Sequence, residues 1–380
     1  LGSYHRLDSI AHIGTEDKDL YHLIQDKGEK KIVFFTNKFN RSKSEQYITL
    51  KALDKDLNVL WKTDQVLTGV RKRLNFYDFQ YDGNDRFYFM ANNSITKGKD
   101  LSERKLKNNL HQIWCFNQST SRMKQIELKL KEKWIFDLRI KLGPDSSCFI
   151  GGLYAEKAEN KVHGTISVKI DKNFSVEKHS LNPYSSETLK YMNKDDDGSR
   201  SISKLTLHSV KTNENGDFVI LAEQFSKSIE QYYDPLTEAV SYTDVFNYQN
   251  GIVSWYDSAL VYVNETPIKK NQTSSNDGGI YSSFLPVTFE DTLYLYYNDH
   301  LKNTQIEDQS GPKTARTASI FVEPMVHKYT KSGYESGKII DDQVSIHLIP
   351  KNSFQTLHSQ PGYLVFEQNK RNLIIRIEAQ

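Results

Sequence analysis

The chain has 380 residues with 50 Lys and Arg against 48 Asp and Glu, so its bulk charge points to neither a nucleic-acid nor an anionic-membrane partner. Hydrophobic residues are only 37% but aromatics are 12%, which suits many short strands with one wet face and suits a disordered chain poorly. No run of 18 apolar residues occurs, so no spanning helix is expected.

The opening Leu1-Gly2-Ser3-Tyr4-His5-Arg6 has no basic n-region, no apolar h-region and no initiator Met. We therefore expect a leader already removed, with any lipid-bearing Cys preceding Leu1. Cys115 and Cys148 are the two cysteines, enough for one bridge at most and too few for a four-Cys zinc site. Two separate buried thiols fit the sequence equally well.

Short apolar strands then recur along the chain. They begin near Ile32, Arg86, Cys148, Asp217, Thr292 and Tyr363, at intervals of about 54 to 75 residues. Turn chemistry introduces four of them: Gly83-Asn84-Asp85, Asn215-Gly216-Asp217, Glu290-Asp291 and Pro361-Gly362. Hairpins are expected around Asp54-Lys55-Asp56-Leu57-Asn58 and Asp171-Lys172-Asn173-Phe174. Each strand is too short to bury a face alone, so the units must stack. The expected fold is all-β: one six-bladed β-propeller over 1–380 with four-stranded antiparallel blades. The last unit lacks a strand, which the N-terminal segment Tyr4 to Ile10 is expected to supply. The best helical candidate is one or two turns over 187–192, in a loop.

Four polar stretches interrupt the pattern, near 92–109, 182–203, 226–243 and 300–318. We read them as loop insertions. Three of them directly follow the apolar strand of their unit, a placement expected to gather them on one face as a binding surface.

Chemistry is sparse. Asn193-Lys194-Asp195-Asp196-Asp197-Gly198 sets oxygen ligands at alternate positions, so Asn193, Asp195 and Asp197 form a weak Ca²⁺ candidate; Lys204 stands where a bidentate Glu should close such a loop. No other cofactor is expected. HExxH, GxSxG, Walker A and GxGxxG patterns are all missing. Gly151-Gly152 and Gly278-Gly279 read as bulge or turn glycines, and Trp61, Trp114, Trp134 and Trp255 as packing residues. The basic runs Arg71-Lys72-Arg73 and Arg104-Lys105-Leu106-Lys107 sit in a neutral field and read as solvated loops.

The strand Asn215-Gly216-Asp217-Phe218-Val219-Ile220-Leu221-Ala222-Glu223-Gln224-Phe225 and the strand Leu293-Tyr294-Leu295-Tyr296-Tyr297-Asn298-Asp299-His300-Leu301-Lys302-Asn303 carry a resemblance, together with the ending from Ile349-Pro350-Lys351 to Phe366-Glu367. Over about 200–370 they resemble a family of exported Bacteroidota proteins with propeller-like repeats, for which no activity is established. The sequence departs from that pattern at Asp244-Val245-Phe246-Asn247-Tyr248 and at Asn264-Glu265-Thr266-Pro267. The resemblance implies export and a periplasmic or outer-membrane location. Asp8-Ser9-Ile10, Asp257-Ser258-Ala259 and Asp291-Thr292-Leu293 look like the O-glycosylation triplet of such proteins.

Together these readings lead us to expect a non-enzymatic, protein-binding scaffold propeller, an accessory subunit of an outer-membrane or periplasmic complex. The alternatives are a lactonase- or glycosidase-type hydrolase with a carboxylate or Ca²⁺ site in a central channel, and a glycan-binding module. For the hydrolase, Glu223, Asn298 and Glu367, at the ends of their apolar strands, are the positions to inspect.

Overall fold

Eight consecutive buried residues, Cys148–Ala155, show what organises this chain. A strand lying between two others in a sheet that is covered on both faces has no wet side, so it is apolar throughout rather than alternating. Phe218–Leu221 and Leu293–Tyr297 follow the same logic, whereas edge strands such as Val59–Leu67 alternate or are largely exposed. The computed structural model describes residues 21–26, 30–68, 70, 73–93, 111–130, 133–143, 145–157, 161–193, 199–305, 312–316, 321–339, 347–355, 362–368 and 371–377. It is nearly all-β, built of antiparallel sheets that are mostly four-stranded. The expected N-terminal strand at 4–10, most of the 92–109 stretch, Asp195 and Asp197 lie outside the described residues.

Two units divide the chain, Leu1–Lys131 and Glu132–Gln380. In the first, Tyr21–Gln25, Lys31–Asn40, Glu45–Asp54 and Val59–Leu67 form one meander. Leu74–Tyr81, Arg86–Asn93, His111–Asn117 and Arg122–Leu128 form the second. Their shared core is aromatic: Phe35, Phe76, Phe87, Phe89 and Trp114 are buried together, with Phe35 edge-on to Phe76 at 5.3 Å.

The second unit holds four such sheets. The third sheet is the meander Trp134–Leu142, Cys148–Ala155, Gly164–Ile170 and Val176–Pro183. The fourth runs Leu205–Thr212, Phe218–Tyr233, Val240–Tyr256 and Tyr262–Ile268, with Gln272–Ser275 and Ala315–Arg316 added at its side. Leu285–Phe289, Thr292–His300, Val322–Thr330 and Gly333–Lys338 make the fifth. In the sixth, Gly362–Gln368 pairs with Arg371–Ile377 and with the short strands His347–Leu348 and Phe354–Gln355. A separate two-stranded bridge joins Lys161–Val162 to Ile202–Ser203. Apolar clusters lie between the third and fourth sheets, the fourth and fifth, and the fifth and sixth. Consecutive sheets thus bury each other's faces, at roughly 1.5–3 kcal/mol for each large apolar side chain removed from water.

The apolar strand expected in each unit is the central strand Lys31–Asn40, Arg86–Asn93, Cys148–Ala155, Phe218–Tyr233, Thr292–His300 or Gly362–Gln368. The turns at Asp54 and Asp171 form as expected: each carboxylate accepts the backbone N–H two and four residues on, at 2.7–2.9 Å. Gly278 and Gly279 have φ of +69°, and Gly152 precedes a bulge at Leu153/Tyr154. A Cβ on Gly152 would stand 2.1 Å from the Asp137 carbonyl oxygen, so only glycine lets the neighbouring strand approach. Both cysteines are buried thiols outside any disulfide, and burial pushes Cys115 up to about 12. The helix is Ser186–Met192, inside the 182–203 stretch. The triplet Asp257-Ser258-Ala259 lies in the turn that follows Val240–Tyr256.

The 226–243 stretch is corrected. It is not a loop, because Phe218–Tyr233 and Val240–Tyr256 stay paired from Ser226↔Asn247 to Tyr233↔Val240. The Ser226-Lys227-Ser228 and Glu230-Gln231 that read as loop composition are consecutive because both faces of this strand are wet, so polar residues occupy either side of it. Parts of 300–318 are also ordered, as the 3₁₀ turn Leu301–Gln305 and the strand Ala315–Arg316.

Candidate functional site

Glu223, Asn298 and Glu367 come from three consecutive sheets, and one series of hydrogen bonds links them. Glu223 sits where the pairing of Phe218–Tyr233 with Val240–Tyr256 shifts register, and is buried. Its carboxylate forms an ion pair with the fully buried ammonium of Lys270 and accepts the Ser283 hydroxyl at 2.7 Å. Lys270 also donates to Gln272 Oε1 at 2.8 Å and lies over the rings of Tyr248 and Phe284, at 5.7 and 5.5 Å. Burial holds the Lys270 ammonium below its ordinary pKa, and Glu223 opposes that shift.

Gln272 carries the series onward. Its Oε1 accepts the Ser283 N–H at 2.7 Å, and its Nε2 donates to the Asn298 carbonyl at 2.7 Å. Asn298 turns its side chain to the sixth sheet: Nδ2 donates to the carbonyls of Tyr281 and Leu348, at 2.8 and 2.7 Å, while Oδ1 accepts the Leu348 N–H at 2.9 Å. The Tyr281 hydroxyl donates to Glu367, and burial with that carboxylate pushes the phenol up to about 12. Beside Asn298, buried Asp299 accepts the His300 N–H at 2.8 Å and the Asn303 amide at 2.6 Å, and burial raises it to about 7. Each group holds partners that fix its position, as in a splice between sheets. Glu223 is bound to Lys270 and Ser283, and Glu367 to Tyr281, so each carboxylate is committed to its own partners.

Sequence reasoning did not find Lys270, Gln272, Ser283 or Tyr281. Lys269-Lys270-Asn271-Gln272 reads as an exposed polar loop, and no periodicity marks which lysine turns inward. Asn193 caps the helix C-terminus and donates to the Ser201 carbonyl at 2.9 Å. Among the described residues no group of three or more His, Cys, Asp or Glu could hold a metal ion.

A second feature stands out on the same sheet. Past Asp244 the two long strands continue as a bare ribbon to the turn at Asp234, whose carboxylate accepts the Leu236 N–H at 2.9 Å and the Thr237 hydroxyl at 2.8 Å. Directly opposed pairs Ile229↔Asp244, Gln231↔Tyr242 and Tyr233↔Val240 share one face. On it Ile229 is 65% and Tyr242 66% exposed, Tyr233 and Val240 are exposed as well, and Leu236 at the tip is 93% exposed. The opposite face carries Ser228, Glu230, Tyr232, Ser241 and Thr243. The neighbouring strand Leu205–Thr212 pairs only up to Gln224, and Gln272–Ser275 only up to Val245. Among the described residues no strand covers either outer edge of the ribbon's far half.

No protein-family model and no curated protein matches the chain. Among solved structures, acylaminoacyl peptidase from Pyrococcus horikoshii is similar at 11% identity over 95% of this chain and 46% of that one, with a TM-score of 0.39. The polysaccharide lyase Uly1 is similar at 10% identity over 94% of this chain and 77% of that one, with a TM-score of 0.42. An apocarotenoid oxygenase from Synechocystis is similar at 10% identity over 66% and 61%, with a TM-score of 0.30. The chain spans about half the length of the acylaminoacyl peptidase. At these scores no activity transfers from these proteins.

Proposed function

We propose that this chain is a protein-binding scaffold on a six-bladed β-propeller, and that its partner docks on the ribbon over 226–243. In this reading the six sheets are the blades. Their meander order and the apolar clusters between consecutive sheets of each unit support it. Placement in a cell-envelope complex rests on the resemblance to exported Bacteroidota proteins.

The ribbon is the observation that carries the reading. A two-stranded hairpin with a large apolar face gains nothing by leaving that face in water, so the face is kept for an interface. The unpaired edges present alternating N–H and C=O groups, which another polypeptide backbone complements. Charge separates a protein from a lipid partner. Lys227 stands against Glu230, Asp234, Glu238 and Asp244, and so acidic a ribbon is repelled by anionic headgroups.

The test recovers tagged protein from its own cells by gentle detergent extraction, with size analysis and mass spectrometry of what accompanies it. Ile229→Thr, Tyr233→Ser, Val240→Thr and Tyr242→Ser combined should remove a stoichiometric partner while leaving the fold intact. Glu230→Gln with Thr243→Ser, on the other face, should retain it. A partner kept by the fourfold variant, or a lone wild-type chain, overturns the proposal.

A further inference from the structure

A cleft of about 380 Å³ opens where the fourth, fifth and sixth sheets begin. Leu207 and His208 come from Leu205–Thr212, Leu285 and Pro286 from Leu285–Phe289, and Lys351 from the 3₁₀ turn Pro350–Asn352. Glu223 also lines the cleft, with the rings of Phe225, Tyr248 and Phe284. This volume falls in the range of small-molecule sites, and its lining is the usual mixture of apolar walls and a few convergent polar groups.

Charge narrows the ligand. Glu223 is balanced by Lys270 behind it. The His208 ring packs at a tilt against Phe284, centroids 4.2 Å apart, and its Nδ1 meets the Ser209 hydroxyl at 3.1 Å; burial lowers it to about 4, so it is neutral at pH 7. Lys351 remains. It lies 5.5 Å from the Tyr248 ring centroid and donates to the Gly278 carbonyl at 2.7 Å, and no carboxylate pairs with it among the described residues. One cation is therefore uncompensated beside a pocket of rings and aliphatic side chains.

From this geometry we propose that the cleft binds a small aromatic monocarboxylate, its ring among Phe225, Leu207 and Leu285, its carboxylate on Lys351. This site is independent of the ribbon's partner and does not rest on the scaffold reading.

The probe is 4-hydroxyphenylacetate, titrated into the full chain at pH 7 and followed by calorimetry. Saturable one-to-one binding is expected with a Kd of about 1 mM or tighter, as befits so small a ligand. The methyl ester and the surface variant Lys351→Gln should each weaken it about fivefold, the scale of one partly exposed ion pair. Thr206→Trp, which fills the cleft from an exposed position, should abolish it. No saturable heat from the wild type overturns the proposal. So does binding that Lys351→Gln and Thr206→Trp leave unchanged, or an ester that binds as tightly as the acid.

Discussion

Single residues in the hairpin turns show how this sequence settles conflicts between backbone and side chain. Asp54, Asp171 and Asp257 each accept, at the main-chain carbonyl, the N–H of the residue three places on: Leu57, Phe174 and Leu260. Those residues have φ of 64°, 60° and 56°, a left-handed conformation that favours glycine and costs other residues about 1–2 kcal/mol. Phe174 and Leu260 are buried, and burial of a large apolar side chain offsets that cost. Leu57 is 38% exposed and has less to offset it. Leu57→Gly should therefore stabilise the first unit by about 0.5 kcal/mol, after the extra chain entropy of glycine is deducted, whereas Leu260→Gly should cost about 2 kcal/mol. Urea midpoints of the two variants against the parent check both signs. The Glu223–Lys270 pair is subject to a different rule, because removing one partner strands the other charge in the core. Glu223→Gln or Lys270→Met alone should cost about 3–5 kcal/mol, and the double variant less than either single. A double-mutant cycle on unfolding free energy measures this, and additive losses would contradict it.

At the scale of elements, the short helix Ser186–Met192 depends on one cap. The Ser185 hydroxyl accepts the Thr188 N–H at 3.2 Å and donates to Glu265 at 2.7 Å; Glu265 also takes the Ser185 N–H at 2.8 Å and the Tyr262 hydroxyl at 2.9 Å. A helix of under two turns cannot hold itself, so this cap ties it to Tyr262–Ile268. Ser185→Ala should cost about 1 kcal/mol and speed amide exchange over 186–192 while leaving the third sheet protected. Elements of this kind were legible to unequal degrees. Central strands could be read from Phe87-Tyr88-Phe89-Met90 or Val219-Ile220-Leu221 because burial on both faces leaves an unbroken apolar run. The helix could be read from one apolar cluster at Leu189 to Met192. The ribbon could not, since a hairpin wet on both sides has no core-facing pattern, and its Ser, Lys and Gln look like loop. The candidate positions Glu223, Asn298 and Glu367 could be chosen because polar residues ending apolar runs must meet something. What they meet could not, because Lys270, Ser283 and Tyr281 reach them from other strands through tertiary packing alone.

For the second unit as a whole, ionisation pulls stability in opposite directions across the same pH range. Burial lowers His327 from 6.5 to about 4; its ring stacks on Tyr297 at 4.8 Å and its Nε2 is buried without a hydrogen bond. The unfolded chain takes that proton first, so the contribution is present above about pH 6.5 and lost as pH falls toward 4. Asp299 works the other way. Its folded pKa of about 7 exceeds the ordinary 3.8, so its contribution is complete below about pH 4 and lost as pH rises through 7. Both groups lie in the fifth sheet, on Val322–Thr330 and Thr292–His300, so one readout reports both. Hydrogen exchange of peptides from these strands gives local opening free energies from pH 4 to 8. His327→Phe should flatten the acid side, losing about 2–3 kcal/mol less than the parent between pH 7 and 4. Asp299→Asn keeps an acceptor for the His300 N–H and removes the buried charge. It should match the parent near pH 4 and exceed it by about 2–4 kcal/mol at pH 8. Profiles parallel to the parent in both variants would place the titrating groups elsewhere in the unit, whereas a crossing pair would locate the pH response of the fold in this one sheet.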